Sequence, residues 1–292
     1  MLKNMFTLIL VTSCIALTGC GHKQKMTQQL ITQARQDMVF VKGGSFIMGP
    51  KPGSKWMQYG ANSPQHKVTL DSFYISKYNV SFAKLNLYTT INHLSEIQKE
   101  AQQLHLYSAS PNDPAGPVTW YQAHNYCHWL AKKTGLPYDL PTEAQWEYAA
   151  RAGGKPNWPF ATNNGQLELG KNFPSEYMIK HQKGNSGHDL LPMPIGSLPR
   201  NPLGIYGMDG EIVLWVKDWY SEDYYAHSPE LNPQGPKSGT KRVVRSGGPG
   251  VGTFYENNNY GRAGQPPHEI NAGFRCVINS SLPPNQLGIT AK

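Results

Sequence analysis

Glycine and proline recur along this chain at a density that few helices survive. Its 292 residues hold 29 Gly and 23 Pro, together about 18% against roughly 12% in an average protein. Proline removes a backbone donor and clashes inside a helix, and glycine costs conformational entropy there. Long coiled coils and multi-helix bundles are therefore excluded. Disorder is excluded too: 16 Tyr, 9 Phe and 7 Trp with only 16% charged residues supply ring burial that offsets chain entropy. A chain of this length buries roughly 75% of its unfolded surface. One compact, loop-rich domain is expected.

The N-terminus stands apart from that domain. Lys3 gives a positive start, and Met5–Leu17 is an apolar run too short and too poorly flanked for a transmembrane helix. Leu17-Thr18-Gly19-Cys20 looks like a bacterial lipobox, with small residues for a peptidase cleft and a thiol that can take a diacylglyceryl thioether. A buried apolar strand is the alternative. The expected organisation is a signal peptide over 1–19, a lipidated Cys20 and polar tether over 20–37 with room for one short helix, a single domain over 38–280, and a frayed tail over 281–292. Stable anchoring needs two hydrophobic signals, which lipoprotein triacylation meets. Gly at position 21, rather than Asp, favours the outer membrane by resemblance to enterobacterial sorting. The expected location is the bacterial cell envelope, lipid-anchored and facing the periplasm.

Cysteine usage follows from that placement. Cys14 leaves with the signal peptide and Cys20 carries lipid, so Cys127 and Cys276 remain as two thiols in an oxidising compartment. A disulfide is the natural state there, with two buried free thiols as the alternative. It would close a loop of about 150 residues, worth up to roughly 5 kcal/mol in the chain-entropy picture. The net charge of +8 is spread out, with no run of five like charges. Nucleic acid is not an expected partner, since its binding wants a concentrated basic stripe.

Met38–Val41 reads as a strand, with Ser45–Gly49 as its hairpin partner across Gly43-Gly44, and Lys67–Ile75 as a further strand. Val80–Leu94 is spaced helically, and Glu96–Leu106 continues the pattern after a break. The clearest helix is Trp120–Lys133: Trp120, Ala123, Cys127, Leu130 and Ala131 share a face, Thr119 is the candidate cap and Gly135 the terminator. Thr142 and Gln145 form a capping-box pattern that opens a helix carrying Trp146, Tyr148 and Ala149. Residues 155–210 are expected to be long ordered loops, followed by short strands at Glu211–Val216, Arg242–Ser246 and Gly273–Ile278.

Four segments taken together resemble the formylglycine-generating enzyme (sulfatase-modifying factor) superfamily. They are Phe40–Gly49, Pro117–Gly154 with its LPTEAQWEYAARAGG, Asn201–Tyr220, and Arg242–Val277 with GG at 247–248 and GFRC at 273–276. The match runs from about 38 to 280. It implies an α+β, C-type-lectin-like fold with sparse regular secondary structure and long ordered loops. Family members also join the cysteines matching Cys127 and Cys276. The superfamily further contains ergothioneine-pathway sulfoxide synthases, a pyoverdine-maturation oxidoreductase and the variable ligand-binding proteins of diversity-generating retroelements.

Resemblance implies fold, not activity. The formylglycine-generating enzymes hold copper with two thiolates after the Gly-Gly-Ser turn, a soft site suited to Cu(I). The matching positions here are Gly252 and Asn257, the Ser is Pro249, and no cysteine lies between 128 and 275. The family's calcium site loses both side-chain oxygens, at Gly207 and Leu214, and Ca²⁺ needs six to eight oxygens. Asp209 and Glu211 nearby are expected to be structural surface carboxylates, with a rebuilt metal site as the alternative. A second family calcium site falls near Asn172 and Asp189, where the spacing has drifted too far to carry residues over. His124 and His128 stand at i, i+4, a spacing able to clamp zinc, but lack a third ligand and read as surface or boundary histidines. Glu143 is explained by the first helical turn, and Glu147 one turn on is not expected to form an acid/base pair with it. No catalytic residue, metal or cofactor is expected.

The functional expectation is a membrane-anchored pseudoenzyme that binds a protein partner in the envelope, either a toxin it neutralises as an immunity protein or another subunit of an assembly. The candidate binding surface is the segment after the Gly-Gly turn: Phe254, Tyr255 and Tyr260 as rigid aromatic area, and Asn257, Asn258, Asn259 and Arg262 as polar contacts. The rings could instead fill the core. One alternative is a periplasmic oxidoreductase resembling the pyoverdine-maturation member, with Glu256 or Glu269 as a convergent acid. Another is a purely structural envelope lipoprotein.

Overall fold

The computed structural model describes residues 21–58, 64–97, 99, 110–175, 193–246, 258–270 and 272–289. The lipobox and Cys20 lie outside them. Among the described residues no helix is long and apolar enough to cross a membrane.

The chain opens with a helix over 21–36 (α1). It is no tether: Leu30 is fully buried, and Ile31 and Ala34 join it in the core with Met26 packed alongside. These apolar residues recur at helical spacing, which fixes α1 against the domain despite its otherwise polar sequence.

Strand β1 (Met38–Val41) pairs antiparallel with β4 (Phe73–Ser76), while β2 (Gly44–Met48) pairs with β3 (His66–Leu70) in a separate sheet. The expected β1–β2 hairpin is therefore corrected, and Lys67–Ile75 is two strands rather than one. The cause is the crossing point. A Cβ on Gly43 would lie 2.3 Å from Leu70 O, so the chain passes there against the β3–β4 corner instead of turning back on itself.

The larger sheet has the order β1-β4-β9-β5, with β5 at Tyr138–Asp139 and β9 at Val277–Ile278. Its central strands are buried on both faces. Tyr74, Cys276 and Ile278 face one core, which also takes α1, α2 (Phe82–Asn92) and α3 (Trp120–Thr134). Phe73, Ile75 and Val277 face a second core with β2, β3 and α4 (Glu143–Ala150). This is the two-residue period of a strand serving two layers at once. A third sheet, β6-β7-β8, comprises Leu214–Trp219, Arg242–Arg245 and Arg262–Gln265. The short helix α5 (Tyr224–His227) lies between β6 and β7 in the chain.

The expected capping box of Thr142 with Gln145 forms on α4, the expected cap Thr119 forms a further box with Gln122 on α3, and Gly135 ends α3 in the left-handed conformation. Cys127, on the inner face of α3, is disulfide-bonded to Cys276 beside β9. Trp120 Nε1 donates to Val216 O at 2.9 Å and Trp215 Nε1 to Val118 O at 2.8 Å, lacing α3 to β6. Between α4 and β6 the described residues contain no regular helix or strand. The tail expected to fray instead packs: Pro284–Leu287 is a 3₁₀ turn, and Leu287 and Ile289 are buried in the first core. The packed unit thus extends beyond 38–280 at both ends.

Candidate functional site

The segment after the Gly-Gly turn divides in two. Phe254, Tyr255 and Glu256, with the copper-matching positions Gly252 and Asn257 and the Ser-matching Pro249, lie outside the described residues. Asn258, Asn259, Tyr260 and Arg262 are described and buried, which corrects their assignment as partner contacts. Asn258 Oδ1 accepts from the N–H groups of Tyr260 and Gly261 at 2.9 and 3.1 Å, closing a local turn. Asn259 donates from Nδ2 to Trp158 O at 2.9 Å and from its backbone N–H to Pro159 O at 2.7 Å. The Arg151 guanidinium lies 5.2 Å from the Tyr260 ring centroid. These side chains hold the base of the segment in place.

Beneath that base lies a buried ionic lattice. Glu143 and Glu147, one turn apart on α4, face Arg245 at the end of β7 and Arg262 at the start of β8. Arg245 donates from Nη1 to Glu143 Oε1 at 2.8 Å and from Nη2 to Glu147 Oε2 at 2.9 Å. Arg262 donates from Nε and Nη2 to the two oxygens of Glu143 at 2.7 and 3.0 Å. Arg151 Nη1 donates to Glu147 Oε1 at 2.9 Å, and Tyr225 Oη to Glu143 Oε1 at 3.0 Å. Arg245 also donates to Asn259 O, wiring the loop base into the lattice. Burial alone would raise the Glu143 carboxyl, but Arg262 and Arg245 outweigh it and hold the group at about 2. Asp218 accepts from the Glu143 N–H at 2.9 Å, and burial, reinforced by the Glu143 charge, pushes it up to about 7. The helical spacing of the two glutamates was visible in sequence. Arg151 stands four residues after Glu147, a spacing also open to local reading, whereas Arg245 and Arg262, about a hundred residues on, carry no local signal.

Asp209 and Glu211 are buried, not surface carboxylates. Asp209 Oδ2 accepts from the Ala161 N–H, and burial raises the group to about 7. Glu211 accepts from Asn79 Nδ2 at 2.9 Å, and burial raises it to about 7 against the pull of Arg275. A Cβ at Gly207, whose φ is +58°, would lie 2.0 Å from Glu211 Oε2. The Glu211 carboxyl thus fills the space that any side chain at 207 would need. Leu214, at the other calcium position, is a fully buried aliphatic in β6. These residues do not fit the family's calcium. Nor do they fit its copper, since the sequence offers no thiol between 128 and 275 and Cys127 and Cys276 are bonded to each other. Among the described residues no group of three or more His, Cys, Asp or Glu could hold a metal. Asn172 spends its amide on Asn163, Asn164 and Gln166, and Asp189 lies outside the described residues.

His124 and His128 stack at 5.7 Å between centroids, and His124 stacks on Trp120 at 4.8 Å. Arg242 sits between Trp120 and Trp219, 3.7 and 3.4 Å from their ring centroids. The histidines extend this aromatic column. Burial lowers the His124 pKa, and the Asp139 charge opposes the shift. Glu269 is exposed and does not converge on a described pocket.

Residues 23–280 match the sulfatase-modifying factor enzyme 1-like domain. Over 228 residues the chain is 31% identical to a serine/threonine-protein kinase pkn1 of Chlamydia caviae, covering 72% of this chain and 32% of that one. It thus spans about a third of the kinase's length. The formylglycine-generating enzyme of Streptomyces coelicolor is 27% identical over 295 residues, covering 86% of this chain and 91% of that enzyme. The structure of PvdO from Pseudomonas aeruginosa superposes with a TM-score of 0.66 at 27% identity, covering 83% of this chain and 94% of that one. The fold is the α+β fold of these proteins. The chain belongs to the sulfatase-modifying factor enzyme 1-like family, within the formylglycine-generating enzyme superfamily.

Proposed function

We propose that this chain is a lipid-anchored envelope protein whose formylglycine-generating-enzyme-like domain holds a protein partner instead of carrying out thiol–copper chemistry. One observation carries the reading: the framework is intact while the donors are gone. The disulfide, both helix caps and the Arg–Glu lattice are in place, yet no thiol exists between 128 and 275. A fold kept rigid without its metal ligands suits recognition, either of a toxin to be neutralised or of another envelope subunit. Anchoring rests on the Leu17–Cys20 lipobox. The docking of α1 supports a domain held close to the bilayer.

The likeness to PvdO favours a second reading, a periplasmic oxidoreductase that dispenses with the cysteine pair. Metal analysis of the purified full chain tests the first reading. The partner-binding reading expects neither copper, iron nor calcium at stoichiometric level, and one equivalent of any of them overturns it.

A further inference from the structure

The edge of the larger sheet borders a cavity whose described lining shares no residue with the Arg–Glu lattice. Among the described residues β1 is the outermost strand and pairs only with β4. Lys77 N–H donates to Asp37 O at 2.7 Å. By the alternation of an antiparallel ladder, Val39/Ile75 and Val41/Phe73 are then the hydrogen-bonded pairs. On the other side of β4, Ser76 N–H donates to Cys276 O, which fixes the same phase. The backbone N–H and C=O of Met38 and Phe40 therefore point away from β4, to the free edge.

A cavity of about 410 Å³ lies against these residues, with Arg200 and Tyr206 contributing to its lining. Its walls are aromatic: Phe40 is 39% exposed, and the Tyr78 and Tyr206 rings lie 5.0 Å apart. Its charge is positive. Arg200 is exposed and makes no ion pair or hydrogen bond among the described residues. Among the described residues the one ion pair of Lys77 is with Asp37, at 3.7 Å, and that carboxylate is shared with Lys84; its Nζ also lies 5.2 Å from the Tyr78 ring centroid. No acidic residue is among the described residues lining the cavity.

We propose that this edge takes an extended acidic segment of a protein partner, added to β1 as a further strand. Unpaired backbone groups give such a segment its hydrogen bonds, and pockets for alternate side chains give it selectivity. Here the outward groups of Met38 and Phe40 supply the ladder, the rings receive an apolar side chain, and Arg200 and Lys77 receive carboxylates. The inference rests on the partner-binding reading and places capture at β1 instead of after the Gly-Gly turn.

The test titrates a fluorescein-labelled decapeptide of alternating Glu and Val into the full chain in detergent and reads anisotropy, with a Lys-Val peptide and inorganic phosphate as controls. The acidic peptide should bind saturably and the basic one should not. Arg200→Glu, and separately N-methylation of alternate peptide amides, should each weaken binding about tenfold or more, the factor that 1.4 kcal/mol represents. Equal binding of both peptides, no saturation, indifference to Arg200→Glu, or full displacement by phosphate would each overturn the proposal. Pull-down from the native envelope separates the two levels. A partner that the Arg200→Glu chain still holds overturns this site and leaves the partner-binding reading standing. Absence of any partner overturns that reading itself.

Discussion

Arg262 grips Glu143 through both carboxylate oxygens, at 2.7 and 3.0 Å, joining the first residue of β8 to the first residue of α4. The pair is desolvated and shares its carboxylate with Arg245 and Tyr225. Forming such a pair in place of an apolar contact gains little, but removing one partner strands the other, at a cost of about 3–5 kcal/mol. Glu143→Gln should lower the unfolding free energy from urea titration by that amount, read as a lower midpoint at an unchanged slope. The double change Glu143→Gln/Arg262→Met should cost less than the sum of the single changes. Additive losses would show that the two do not act as a unit.

The buried carboxyls make stability depend on pH in opposing directions. Glu143, held at about 2 by Arg262 and Arg245, contributes stability above its unfolded value near about 4.3, and this is lost as pH falls toward 2. Asp209, Glu211 and Asp218 are raised to about 7, so between about pH 4 and 7 the folded state binds more protons than the unfolded one. Their contribution therefore falls as pH rises through that window. Glu211→Gln, which needs no proton there, should gain in Tm relative to the unaltered chain between pH 4.5 and 7.5. A constant difference across the range would contradict the shift.

Leu30→Ala tests whether α1 belongs to the domain. Leu30 is fully buried, and emptying such a site costs about 2–5 kcal/mol. Denaturation of the variant should show that loss, whereas a leader acting only as a tether would leave the midpoint unchanged.

What the sequence made legible was local. Thr119 and Gly135 bracket α3, and Thr142 and Gln145 open α4, because caps depend on residues close in sequence. Strand pairing is not local. The partner of β1 is decided at Gly43 by the Leu70 carbonyl, and no hairpin signal reports that crossing. Met26, Leu30, Ile31 and Ala34 did carry a helical period, masked by the polar residues between them. At the candidate site, the missing thiols could be counted directly. The burial of Asn258, Asn259, Tyr260 and Arg262 could not, because it depends on Trp158, Pro159, Arg151 and Glu143 meeting them from distant parts of the chain.

Affinity purification of the tagged full chain from its native envelope reads partner capture itself. One protein should be recovered at near one-to-one stoichiometry and retained through a salt wash, with no copper accompanying the pair. Recovery of the chain alone, carrying one equivalent of copper, would contradict the partner-binding reading.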